Sequence, residues 1–265
     1  MKYKAGFIGA GNMGGALLRA VAAAVGGDKV AVYDLSAEKA EKAASLTGAV
    51  YTDSEDICRN SEFIFFGVKP NVIEKVFQAA SSQIKKSSVV VSMAAGISLA
   101  QIRNWTGSDS VIRIMPNTPA SIGKGMILYT CGKDISPERE KEFTEVMSKS
   151  GVVDKIDEKL IDAAAALSGC GPAFTYMFIE GLADGAVACG LPRDKALLYA
   201  KQTLLGAASL AITSGKHPEE LKDAVCSPGG TTIEGVLALE RGSFRSDAAS
   251  AVIAAYRKTA ELSKN

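Results

Sequence analysis

The chain predicts an α/β fold, with an N-terminal doubly wound sheet followed by an all-α half. Three observations carry this. Short β-rich runs alternate with helical segments through the first half, and a glycine turn joins the first strand to the first helix. Beyond Leu160 the strand signals vanish, and apolar residues recur at helical spacing to the C-terminus. The predicted domains are 1–157 and 158–265.

Residues 4–8 read as a short buried strand, 9–15 as a glycine turn and 16–25 as an alanine-rich helix. A second strand covers 30–33, and Ser36 is placed to cap the helix of residues 37–46. Further β-rich runs lie at 62–68 (EFIFFGV), 88–93 (SVVVSM) and 110–114. A strand over 125–130, a helix over 137–148 and a last strand near Val152 complete this half. The alternation predicts a parallel sheet with helices on both faces.

In the second half, Pro172 opens a helix that Gly190 closes, Pro192 opens the next and Pro218 a short third. Helices over 231–241 and 244–262 complete the chain. They are rich in Ala and Gly and apolar on more than one face, which predicts packing against another copy in an intertwined dimer.

Composition narrows the partners. Hydrophobic residues at 47% and charged residues at 22% are ordinary for a globular chain and exclude extensive disorder. Lys and Arg (30) balance Asp and Glu (29) with no basic cluster, so nucleic acid and anionic membrane are not expected partners. The five cysteines (Cys58, Cys131, Cys170, Cys189, Cys226) form no CxxC pair, and His217 is the only histidine, so no metal site is expected. The apolar start is broken by Gly6, Gly9 and Gly11, and the apolar stretch 174–190 carries Glu180 and Asp184. Neither a signal peptide nor a membrane span is expected, and a reduced, cytoplasmic compartment fits.

Gly9-Ala10-Gly11-Asn12-Met13-Gly14 fits GxGxxG, following a strand and opening a helix as a dinucleotide site of the Rossmann type requires. Gly9 permits the tight turn, Gly11 lets the backbone approach a pyrophosphate, and Gly14 lets helix and strand pack closely. The helix N-terminus adds free N–H groups and the positive end of its dipole. A purely structural glycine turn is the alternative. Asp34, twenty residues beyond Gly14, ends the second strand, where its carboxylate can accept from a ribose 2′-OH. That favours NADH; a 2′-phosphate would be repelled unless Ser36, Lys39 or Lys42 compensated. Helix capping is the alternative role for Asp34. Lys69, in Val68-Lys69-Pro70, is placed at a strand end to meet a phosphate or ribose hydroxyl, unless it is a plain surface lysine. The two prolines of Met115-Pro116-Asn117-Thr118-Pro119 stiffen a loop that presents Asn117 to nicotinamide or ribose, or merely connects two strands.

Residues 226–232 (CSPGGTT) lie between two helical stretches, so their N–H groups converge at a helix N-terminus and predict an anion pocket for a compact carboxylate, with an ordinary helix connection as the alternative. With this block added to the glycine turn and the loops, the chain resembles the pyrroline-5-carboxylate reductase family along essentially its whole length. The resemblance rests on GAGNMG, VKP at 68–70, AAG at 94–96, MPNTP at 115–119, GCGPA at 169–173, GLP at 190–192 and HPEELKDAVCSPGGTTIEGV at 217–236.

The resemblance implies a reductase taking hydride from NADPH or NADH to the C=N bond of L-1-pyrroline-5-carboxylate, giving L-proline. It implies a Rossmann domain plus a helical dimerisation domain, an active site at the dimer interface and, often, a ring of five dimers. Carried over by position, Ser227, Gly229, Gly230 and Thr231 cradle the substrate carboxylate, and Thr232 hydrogen-bonds the ring nitrogen. The cofactor falls to Gly9, Ala10, Gly11, Asn12, Met13, Gly14, Asp34, Ser36, Val68, Lys69, Pro70, Ala94, Ala95, Gly96 and Asn117. Two departures stand out: Cys170 sits where many relatives carry serine, and Asp34 where NADPH-preferring relatives carry a small or basic residue.

Two rival readings keep the fold, one with another substrate and one with no catalysis. A β-hydroxyacid dehydrogenase or related imine reductase would carry a lysine on the first helix of the second domain, and residues 171–189 contain none. A catalytically silent dinucleotide sensor would have no use for the CSPGGTT turn. His217 before Pro218 reads as a helix start, and no cysteine has the partners of a nucleophile.

Overall fold

The computed structural model describes residues 1–262. The first half runs β1 (Tyr3–Ile8), α1 (Asn12–Val25), β2 (Val30–Tyr33), α2 (Ala37–Thr47), β3 (Val50–Tyr51), α3 (Ser54–Asn60), β4 (Ser61–Phe66), α4 (Pro70–Ala80), β5 (Val89–Ser92), α5 (Leu99–Thr106), β6 (Val111–Met115), β7 (Gly125–Cys131), α6 (Pro137–Val146) and β8 (Gly151–Lys155). The strands form one sheet in the order β3-β2-β1-β4-β5-β6-β7-β8.

From β3 to β6 every pairing is parallel, as the alternation predicts. The expectation of a wholly parallel sheet fails at β7, which runs antiparallel to β6, while β8 pairs parallel with β7. The reason is length. The link between Met115 and Gly125 holds only a 3-10 turn at Thr118–Ile122 and is shorter than the dozen or so residues a parallel crossover needs.

The central strands are buried on both faces, which explains their continuous apolar runs. Phe7 stacks on its register partner Phe65 at 4.6 Å on one face, and on the other Phe66 meets Phe77 of α4 edge-on at 4.6 Å. β4 stops at Phe66, short of the predicted 68, because Gly67 and Val68 leave the sheet to form the next loop.

α7 (Glu158–Ser168) buries Ile161, Ala165 and Ala166 and is tied to the sheet by charge. Arg113 of β6, only 3% exposed, ion-pairs with Asp162, and Glu158 accepts the Leu99 N–H that opens α5 at 2.6 Å. The first compact unit therefore runs past the predicted boundary at 157. It comprises Met1–Cys170 with the C-terminal stretch from Ala255, and the second is Gly171–Ala254. Residues 263–265 of the predicted second domain lie outside the described residues.

The second unit is built from α8 (Gly171–Ala188), α9 (Arg193–Ser214), α10 (Pro218–Val225), α11 (Thr231–Arg241) and most of α12 (Phe244–Leu262). Pro192 caps α9 and Pro218 is the first residue of α10, so the proline punctuation holds. Its buried core is three alanines, Ala183, Ala196 and Ala200. Met177, Tyr199, Leu205 and Ile212 are exposed, the apolar excess that the sequence predicts.

Candidate active site

All the strands from β3 to β6 end at one edge of the sheet, and the chain order reverses there between β1 and β4, where an open α/β sheet takes its ligands. The loops at that edge are laced together. Gly9 N–H donates to the Tyr33 carbonyl at 2.8 Å and Gly67 N–H to the Ile8 carbonyl at 2.9 Å.

Three glycines are demanded by the chain's own packing. Gly9 has φ +107°, and a Cβ there would stand 2.8 Å from the Gly67 carbonyl group; one on Gly14 would stand 2.1 Å from the Gly9 oxygen, and one on Gly67 2.9 Å from the same oxygen. Gly67 is the member that the motif alone does not reveal; its only signal is its place at the end of the FIFF run. Gly11 differs. It has φ −65°, which any residue adopts, and nothing lies within 4 Å of where its Cβ would be. It is also the N-cap of α1, whose first-turn N–H groups receive no side-chain cap. A structural turn accounts for Gly9 and Gly14 but leaves Gly11 unexplained, whereas a pyrophosphate resting on these N–H groups needs the empty space.

Two cavities flank the turn. A cleft of about 450 Å³ runs over Gly11 and Asn12 and is lined by Arg19, Lys39, Lys42 and Lys69. A second, of about 390 Å³, has walls from Leu35, Val68, Val72, Val76 and Ala79, with Asp34 beside them. Cys58 also lines it, and burial pushes that thiol up to about 12, so the wall stays neutral. Leu35 is 93% exposed, an apolar side chain at the rim with its outer face bare. A cationic cleft, an apolar slot and a carboxylate between them match the pyrophosphate, adenine and ribose of a dinucleotide. Arg19 and Leu35 belong to no motif, so sequence reasoning misses them.

Asp34 does more than its expected task. Its Oδ2 accepts the Ala10 N–H at 2.7 Å and its Oδ1 the Ser36 N–H at 2.9 Å, so it pins the glycine turn to the end of β2. Each oxygen keeps a second lone pair, enough for a ribose hydroxyl. Ser36 stands at the N-cap of α2, yet its hydroxyl makes no capping bond, contrary to expectation; its N–H donates to Asp34. Lys69 caps α4 and Pro70 is that helix's first residue. In the turn after β5, Ala94 is buried, Ala95 is exposed and Gly96 has φ +75°.

Asn117 also has a role in holding the fold together. It is 8% exposed, and its amide is committed within the first unit: Nδ2 donates to the Ser168 carbonyl at 2.9 Å and Oδ1 accepts the Met126 N–H at 2.9 Å. It clasps the end of α7 to β7, because α7 folds back onto this loop from a distant part of the chain, and one amide hydrogen and one lone pair remain for a ligand.

In the second unit, Ser227, Gly229, Thr231 and Thr232 are exposed on the turn between α10 and α11. Gly229 has φ +65°, and Gly230 donates its N–H to the Ser227 carbonyl at 3.0 Å, which coils the turn. Gly230 is the N-cap of α11, again with no side-chain cap, leaving the first-turn N–H groups for an anion. His217 caps α10, its Nδ1 accepting the Glu219 N–H at 3.3 Å, in line with the helix-start role. All five cysteines are free. Among the described residues no cluster of His, Cys, Asp or Glu suits a metal, and no helix is long and apolar enough to cross a membrane.

Known proteins resemble both halves of the chain. A family model described as pyrroline-5-carboxylate reductase dimerisation matches residues 158–262, and one described as NADP oxidoreductase, coenzyme F420-dependent, matches residues 4–96. The pyrroline-5-carboxylate reductase of Arabidopsis thaliana is 42% identical over 99% of this chain and 96% of its own. That of Escherichia coli K12 is 38% identical over the full length of both. Among solved structures, Plasmodium falciparum pyrroline carboxylate reductase with NADP bound superposes with a TM-score of 0.89 at 31% identity, covering 99% of each chain. The Coxiella burnetii pyrroline-5-carboxylate reductase gives 0.90 at 30% identity over 100% of each.

Proposed function

The chain belongs to the pyrroline-5-carboxylate reductase family, and from that premise we propose how its own residues carry the reaction and how it assembles. It is an NAD(P)H-dependent oxidoreductase of proline biosynthesis that reduces the C=N bond of L-1-pyrroline-5-carboxylate, giving L-proline. When bound, the nicotinamide cofactor supplies the hydride that adds to C5 of the ring, and a proton on nitrogen completes the amine.

The first-turn N–H groups of α1, from Asn12 and Met13, hold the pyrophosphate over Gly11, with Lys69 beside it. Leu35, Val68 and Val72 receive the adenine, and Asp34 accepts from the ribose, which favours NADH. Ser36 and the turn Ala94, Ala95 and Gly96 complete the cofactor set. The first-turn N–H groups of Thr231 and Thr232, on the turn shaped by Ser227, Gly229 and Gly230, bind the substrate carboxylate. The Thr232 hydroxyl hydrogen-bonds the ring nitrogen; an alcohol is a poor acid, so it orients the ring and solvent supplies the proton. An iminium carbon accepts hydride readily, so alignment and exclusion of water suffice without a strong acid.

The single observation that carries this reading is a pair of helix N-termini, α1 and α11, each opened by a glycine N-cap and each without a side-chain cap. The chain is an oligomer built on the dimerisation module, and we read the working unit as a homodimer, with five dimers assembling into a decamer. Its five free cysteines suit the cytoplasm.

Following NADH and NADPH oxidation with and without L-1-pyrroline-5-carboxylate tests the reading. Substrate-dependent oxidation is expected, with Thr232→Ala lowering kcat/KM by at most about 100-fold. No substrate-dependent oxidation with either cofactor would refute it.

A further inference from the structure

The turn that grips the carboxylate in the proposed function joins α10 to α11, and the role inferred for Arg245 depends on that placement of the substrate. Within one protomer the apolar side chains of this pair of helices are at most half-buried. No described side chain of α10, α11 or α12 is buried, and the buried core of the second unit lies on α8 and α9. The connection is ionic. Arg245, in the first turn of α12, donates from Nη1 to Glu219 Oε1 at 2.5 Å and from Nε to Glu240 Oε1 at 2.6 Å. Glu219 starts α10 and Glu240 ends α11, so one guanidinium holds the two ends of the hairpin that lie farthest along the chain from the turn.

The corner that brings Arg245 back is itself unusual. Ser243, between α11 and α12, has φ +64°, the only positive φ outside glycine among the described residues. Such a conformation persists only where its surroundings hold it, and they include both arms of the Arg245 clamp. Lys222, one turn on within α10, holds the other oxygen of Glu219, its Nζ 2.7 Å from Oε2.

We propose that Arg245 is a positioning residue for the reductase: by holding Glu219 and Glu240 it sets the spacing of α10 and α11, and with it the aim of the N–H groups of Thr231 and Thr232. An exposed ion pair contributes little to global stability. Here its effect is geometric, on a turn that no side chain buried within the protomer enforces, and a misplacement of about 1 Å in a binding element can cost up to about 100-fold in rate.

The test is steady-state kinetics of the full chain with L-1-pyrroline-5-carboxylate and NADPH or NADH, with melting temperature and oligomeric state measured alongside. Arg245→Met should raise KM for the imino acid at least about tenfold, with KM for the cofactor and the oligomer unchanged. Arg245→Lys should recover part of the loss, keeping the charge but not the two-armed geometry. A folded Arg245→Met with wild-type KM for the imino acid overturns the proposal, as does a parallel rise in both KM values. Should Arg245→Met fail to fold, Glu219→Met and Glu240→Met each remove one arm and must show the same split. A wild-type protein that turns over no pyrroline-5-carboxylate removes the proposed function and this inference together, whereas normal turnover with an unchanged Arg245→Met removes the inference alone.

Discussion

Replacing Gly11 by alanine separates a glycine the chain needs from one its ligand needs. At φ −65° and ψ −171° an alanine is unstrained, and nothing lies within 4 Å of its Cβ position. Folding stability should therefore change by less than about 1 kcal/mol. A pyrophosphate must reach the N–H groups of α1 through that same space. A methyl group there forfeits one or two hydrogen bonds to a charged ligand, at about 1.5–3 kcal/mol each. A loss of about 3 kcal/mol corresponds to a rise in cofactor Kd of roughly 100-fold. Fluorescence titration with NADH and NADPH, paired with thermal melts, reads both quantities. Gly14→Ala is the contrast: its Cβ would stand 2.1 Å from the Gly9 oxygen, so it should destabilise by about 1–3 kcal/mol or more. Wild-type cofactor affinity in Gly11→Ala would refute the placement of the pyrophosphate, and a stability loss matching Gly14→Ala would refute the open space.

The same geometry sets three further outcomes. Asp34→Ser should shift the ratio of kcat/KM for NADPH over NADH upward by roughly tenfold, the value of a hydrogen bond to a charged group, and lower the melting temperature because the Ala10 N–H loses its acceptor; an unchanged ratio rules out the ribose role. Arg113→Met leaves Asp162 and Glu158 without their buried cation and should cost about 2–4 kcal/mol, discounted from the fully buried case because both carboxylates reach solvent; thermal unfolding within a degree of wild type would contradict this. Lys222 first, then Arg245, holds the Glu219 carboxyl down at about 2. A depressed carboxylate stabilises the fold above its unfolded pKa of about 4.3 and loses that contribution as pH falls through about 2. The melting difference between wild type and Glu219→Gln should therefore hold steady above pH 5 or so and shrink on acidification, and a difference that grows on acidification would reverse the sign of the argument.

What is legible in the chain is local. A glycine turn between strand and helix, a proline at the head of a helix and an uncapped N-terminus at Gly230 are decided by a few adjacent residues, and all stand where the sequence puts them. What is not legible depends on distant segments. The direction of β7 results from a link too short to cross over, and Asn117 is claimed by Ser168, fifty-one residues away. Gly67 is recognisable as obligatory only once Gly9 is seen against it. Leu35 looks like any loop residue until the apolar slot beneath it is in view. The clamp at Arg245 joins three helices that share no periodic signature.

The alanine centre of the second unit has a thermodynamic corollary. Ordering a residue costs on the order of 1–2 kcal/mol of backbone entropy, and Ala183, Ala196 and Ala200 remove little apolar surface from water. The deficit has to be met by association, so the folded fraction of this half obeys mass action. Its unfolding midpoint should climb with protein concentration, and activity assayed at high dilution should decay with time as subunits separate and lose their shape.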